Sequence, residues 1–145
     1  MEMYSNNASG SFILLTASVT FPVPFKIQAF GDENDPFDMD SVQIQEVVKD
    51  LNGNVYDYGI QNFFPVTINV SQNTPEQLNL ALLAKRNLVG TNQARDIITL
   101  QQIVAGEVKT TYFKGKITEA PFGSPAGSNG KLKNMQYKFK FGSVS

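Results

Sequence analysis

The sequence predicts a mainly-β domain, a sandwich or barrel with one α-helix packed against it. Two observations carry that prediction. Near the C-terminus Met135, Tyr137, Phe139 and Phe141 alternate with Gln136, Lys138 and Lys140, the two-residue period of a strand with one face in a core. At mid-chain Val66, Ile68 and Val70 alternate with Thr67, Asn69 and Ser71, and Thr74-Pro75-Glu76-Gln77 follows almost at once. Threonine caps free backbone N–H groups, proline suits a first helical turn, and glutamine three residues on completes a capping box. No other stretch of the 145 residues reads so clearly as helix.

Taken in order, "FILLTASV" (12–19) reads as the first strand. "FPVPF" (21–25) sets two prolines two residues apart, which makes it a turn or an edge and excludes a central strand. "FKIQAF" (25–30) resumes an extended pattern, and the acidic loop "GDENDPFDMDS" (31–41) follows. Asn52-Gly53 is a two-residue hairpin turn joining an arm at 42–51 to its return at 54–60, since both residue types tolerate positive φ. After the strand at 64–71 the helix runs from Pro75 to about Arg86. Leu78, Ala81 and Leu82 mark its core-facing side, Leu80, Leu83 and Ala84 widen the stripe, and Lys85 and Arg86 suit its C-terminal dipole. Leu78 and Leu82 are therefore the expected packing residues. Two more strands, 95–104 and 108–122, join across Ala105-Gly106-Glu107, and a Gly/Ser-rich tip at 123–131 leads to the last strand. The whole reads as a single domain over 1–145, with a polar start at 1–10 expected to be flexible.

Composition removes several classes of function. There is no histidine and no cysteine, so the commonest general base, the Ser-His triads, disulfides and thiolate metal sites are absent. A carboxylate pair remains available for glycosidase-like chemistry, but the acids crowd one loop. The expectation is a non-enzyme with no cofactor. No apolar run reaches the ~18 residues of a membrane span. "GTNQAR" and "GSPAGSNGKLK" do not match the spacing of a phosphate loop. The last strand's aromatics and lysines lie on opposite faces, so the aromatics read as core and not as a base-stacking platform.

Charge is distributed unevenly. Residues 1–72 carry nine acids and two bases, net −7, while residues 73–145 carry four acids and ten bases, net +6. One reading is chance scattering over solvated faces. The other is an acidic and a basic surface that meet on neighbouring copies. In the acidic loop Asp32, Asp35, Asp38 and Asp40 do not follow the alternate-position calcium loop, and Pro36-Phe37 stands where that loop needs a glycine turn. A protein contact or a solvated loop is the preferred reading, with a looser cation site as its rival.

The hairpin turn at Leu51-Asn52-Gly53, the strand "VTINVSQ", the immediate "NTPEQLNLAL" helix and the closing "MQYKFKF" strand occur in an order that resembles the tail tube proteins of contractile-tailed bacteriophages. The resemblance spans about residues 10–142. It implies a structural virion protein, assembled in the host cytoplasm, whose homo-hexameric rings stack into a tube beside sheath, baseplate and terminator proteins. DNA would pass through the lumen without specific binding, and the chain would not insert into membrane. Candidate interface residues are then Asp32, Glu33, Asp35, Asp38 and Asp40 in the loop, Asn52 and Gly53 in the turn, and Lys131 and Lys133 beside the glycine-rich tip. Two alternatives stay open. One is a tube-like baseplate, initiator or terminator protein; the other is a non-polymerising β-sandwich binding module.

Overall fold

The computed structural model describes residues 12–28, 37–59, 62–90, 93–104, 106–123 and 134–145. Its strands are β1 (Phe12–Ala17), β2 (Phe21–Ile27), β3 (Phe37–Met39), β4 (Gln45–Lys49), β5 (Val55–Gly59), β6 (Phe64–Val70), β7 (Ile98–Val104), β8 (Glu107–Glu119) and β9 (Met135–Val144). The helix, α1, spans Pro75–Arg86 between β6 and β7. Among the described residues seven strands form one antiparallel sheet in the order β2-β1-β7-β8-β9-β6-β3, and β4 pairs with β5 in a second, two-stranded sheet. The mainly-β, one-helix class is as the sequence predicts.

Alternation builds the core. Ile13, Leu15 and Ala17 on β1, Val66, Ile68 and Val70 on β6, and Tyr137, Phe139 and Phe141 on β9 are all buried on one side of the sheet. Pro22 and Pro24 sit on β2, at one end of the strand order, where a missing N–H leaves no gap in an interior ladder. Between the Ile98↔Gly115 and Leu100↔Tyr112 pairs, β8 carries Phe113 and Lys114 against the single residue Thr99. This bulge, with Lys114 at φ 55, bends and twists the long strand so that it wraps the core. A Cβ on Gly115 would stand 2.3 Å from two Phe141 ring carbons, so glycine there lets the aromatic ring lie flat on the strand. The Tyr112 hydroxyl on β8 reaches Met39 Sδ on β3 at 3.1 Å, although β9 and β6 separate those strands in the sheet. The sheet is rolled.

The helix fills the open side of that roll. Its bounds and its cap agree with the sequence: the Thr74 hydroxyl accepts from Gln77 N at 3.3 Å, with proline at the start. The Gln77 side-chain oxygen Oε1 accepts from the N–H of Asn73, one residue before the cap, at 3.1 Å. Its buried face differs from the expected one. Gln77, Leu80, Leu83 and Ala84 are buried, whereas Leu78 is 59% and Leu82 47% exposed. The reason is a polar contact that periodicity does not reveal. Gln77 Nε2 donates to the Tyr137 hydroxyl at 3.1 Å inside the core, and this turns the 77-80-84 side inward.

A second polar anchor holds the far end of the helix. Asn87, at its C-terminus, donates to Leu83 O at 2.8 Å and to Asp96 Oδ2 at 2.9 Å, and accepts from Asp96 N at 2.8 Å. Asp96 is 1% exposed. Its carboxylate also accepts from Val19 N and Thr20 N at 2.7 Å each, and from the Thr20 hydroxyl. One side chain thereby ties the helix end, the β1–β2 turn and the start of β7.

Candidate assembly surface

The β4–β5 hairpin stands apart from the rolled sheet. Its turn is organised by Asp50. Asp50 N donates to Asn54 O at 2.9 Å, and Asp50 O accepts from Gly53 N at 3.1 Å. The carboxylate accepts from Asn52 N at 2.9 Å and Asn54 N at 2.8 Å. Hydrogen bonding from the Asn54 backbone, more than any other contact, holds the Asp50 carboxyl below its ordinary pKa. The loop is therefore the three residues Leu51, Asn52 and Gly53, not the two-residue Asn52-Gly53 turn. Gly53 alone takes positive φ, at 84°, in the left-handed position of a bulged hairpin. At the base, Asn62 Nδ2 donates to Gln43 O at 3.0 Å, clasping the two legs.

Every β4 residue is exposed, and so are Val55, Tyr56 and Asp57 on β5. Val47 and Val55 share one face through the pairs Val47↔Asp57 and Lys49↔Val55, while Val48 and Tyr56 are paired on the other. Leu51 at the tip is wholly exposed. A lone two-stranded hairpin is marginal in water, and clustered exposed apolar side chains mark contact surfaces.

A second surface, part apolar and part polar through Asn73 and Gln77, lies along α1. Leu78, Ala81 and Lys85 line a groove of about 320 Å³ whose other wall is Pro121, Phe122 and Met135. Phe122 is exposed, as is Leu82 one turn from Leu78.

The non-core face of the sheet carries lysines of β8 and β9 together with a few acids. Lys116 stands directly opposite Lys140 across β8 and β9, a like-charge pair that disfavours the sheet in isolation. Lys138 forms an ion pair with Glu119 at 3.2 Å. Of the candidate acids, Asp38 and Asp40 are exposed. Asp38 belongs to β3, opposite Thr67, so the end of the expected 31–41 loop is a short strand recruited by β6. Asp40 shares a shallow groove with Glu119, Lys138 and Lys140 of its own chain. Asp32, Glu33, Asp35, Lys131 and Lys133 lie outside the described residues. Among the described residues no cluster of three or more acidic side chains is placed to hold a metal ion. No described helix is long and apolar enough to cross a membrane.

The described residues thus form a rolled antiparallel sheet with one helix against it, and a separate two-stranded hairpin that exposes apolar side chains. A family model for tail fiber protein gp32 matches residues 7–145, and the chain belongs to that family of structural, tail-associated proteins. The fold is similar to solved structures of contractile injection systems. One is described as the sheath/tube terminator of the extracellular PVC system in its extended state. It is 15% identical with a TM-score of 0.57, and the match covers 100% of this chain and 98% of that one. Another is the tube-terminating cap of the anti-feeding prophage, 14% identical with a TM-score of 0.58 and coverage of 100% and 92%. No curated protein sequence matches the chain.

Proposed function

We propose that the chain is a structural component of a contractile tail that closes an end of the tail tube as a ring of copies. The supporting observation is the end-to-end fold similarity to a sheath/tube terminator, over 100% of this chain and 98% of that one. Membership of a tail family over residues 7–145 points to the same machine. This terminator reading replaces the reading as the tube's repeating subunit. The ring would hold six copies, with sheath and tube subunits as neighbours and DNA passing through its bore.

The chemistry of the surface is consistent with that role. A ring needs two different, mutually complementary faces on each copy, and the chain carries a projecting hairpin and a separate helix groove. The acids Asp32, Glu33, Asp35, Asp38 and Asp40, the turn residues Asn52 and Gly53, and Lys131 and Lys133 remain the proposed contact set between copies. The test is stoichiometry: quantitative mass spectrometry of purified tails, with electron microscopy of tails carrying a labelled chain. About six copies confined to the tube end is the expected result. A copy number that grows with tail length would restore the tube-subunit reading, and label on the fibres would overturn both.

A further inference from the structure

We infer that the hairpin tip of one copy seats in the helix groove of the next copy, with Leu51 lying against Leu78 and Phe122. This rests on the ring-forming reading above and specifies its contact.

Four observations lead to it. First, the hairpin needs cover that its own chain does not give: Ile44, Val47, Leu51 and Val55 are each more than 60% exposed. Second, one strip of the groove is apolar, Leu78, Ala81, Pro121, Phe122 and Met135, beside the polar Asn73, Gln77 and Lys85, and two of its apolar residues, Leu78 and Phe122, are themselves 59% and 58% exposed. Third, the charges match. The segment from Ile44 to Gly59 holds Glu46, Asp50 and Asp57 against Lys49, net −2, while the groove carries Lys85 on its wall with Arg86 beside it. Asp50 adjoins Leu51, so a seated tip adds a carboxylate to a groove that Lys85 lines. Fourth, the hairpin is a braced arm. Five residues per strand at ~3.4 Å each give an arm of about 17 Å, braced at its base by the Asn62–Gln43 bond.

The two patches are different surfaces of one chain, so the contact is head-to-tail. Repeated with a closing rotation it makes a ring, and without closure a filament. The Gly/Ser-rich segment 124–133 is a poorer occupant: it is polar and carries Lys131 and Lys133, the same sign as Lys85.

The absence of cysteine makes the test clean. Leu51→Cys and Leu78→Cys are introduced singly and together, and tails or concentrated purified protein are treated with a short bis-maleimide. The double variant is expected to give a ladder of covalent multimers ending at the ring size, and each single variant to stay monomeric. Mixing the two single variants is expected to give heterodimers only. Assembled rings with no ladder would overturn the docking while leaving the terminator reading intact. Dimers from Leu51→Cys alone would mean that tips meet tips, and would overturn it too. A double variant cross-linked only within its own chain would do the same. A chain absent from tails would overturn the terminator reading, and cross-linking in concentrated solution would still decide the docking. As a second measurement, Leu51→Asp should leave the urea midpoint unchanged and weaken self-association at least tenfold; unchanged association would count against the contact.

Discussion

Replacing Asp96 with alanine should be among the most destabilising single changes in the chain. The side chain is 1% exposed and accepts from Val19 N, Thr20 N, the Thr20 hydroxyl and Asn87 Nδ2. Hydrogen bonds to a charged acceptor are worth about 1.5–3 kcal/mol each, and buried donors stripped of a partner cost about 1–3 kcal/mol each. Since the freed donors can relax towards other acceptors, a net loss of about 3–5 kcal/mol is expected. Urea unfolding should show the midpoint fall with the slope m unchanged, because the same surface is exposed on unfolding. The pH dependence gives an independent readout. Burial alone would raise the Asp96 pKa, but the hydrogen bonds from Thr20, Asn87 and Val19 outweigh it and hold the group below 3.8. Since the folded value lies below the unfolded one, the stabilisation is complete above the unfolded pKa of ~3.9 and is lost as pH falls through the lower folded value. Asp96→Asn keeps the shape and removes the charge, so it should lose less stability than alanine and also shed this share of the acid sensitivity. Asp50 would still contribute its own, its carboxyl being held low in the same direction. A loss below about 1 kcal/mol for Asp96→Ala, or an unchanged acid limb in Asp96→Asn, would refute the account of this side chain as the tie between three segments.

Three further outcomes follow from the packing. Leu83→Ala should cost about 2–5 kcal/mol by emptying a buried site, whereas Leu82→Ala in the free chain should cost well under half of that; equal losses in a paired denaturation experiment would mean that the burial pattern of α1 is wrong. Gly115→Ala should destabilise by about 1–3 kcal/mol because its methyl occupies the place of the Phe141 ring, and near-ultraviolet circular dichroism should report the displaced aromatic. Neutralising Asp35, Asp38 and Asp40 together should leave the monomer's melting temperature unchanged and slow assembly in low salt more than in high salt. Assembly rates that do not respond would leave these acids as solvated surface, and a melting temperature raised by calcium in the parent chain would favour the cation site.

What could be read from the sequence was whatever local chemistry dictates. The limits of α1 were legible because Thr74, Pro75 and Gln77 satisfy or avoid orphan N–H groups within one turn. The burial of Met135, Tyr137, Phe139 and Phe141 was legible because a strand's two faces alternate residue by residue. The edge placement of β2 was legible because Pro22 and Pro24 cannot donate to an interior ladder. The tertiary structure decided what depends on distant partners. Leucine occurs at 78, 80, 82 and 83, so the apolar stripe covers more than half of the helix circumference and its period does not choose a face; the Gln77–Tyr137 bond, between residues 60 apart, chooses it. Phe37–Met39 has no strand signal of its own, standing in an acidic stretch, and is a strand only because β6 offers it a ladder. Asp96 is one acid in "ARDIITL", and no neighbour in sequence hints that it is buried. Its importance comes from Val19 and Thr20, more than 70 residues away, whose donors meet it only after β1 and β7 have paired. The hairpin arm shows the same division of labour: a turn at Asn52-Gly53 was legible, but its three-residue form depends on the Asp50 carboxylate, and the arm's separation from the main sheet emerges only from the pairing of the other seven strands.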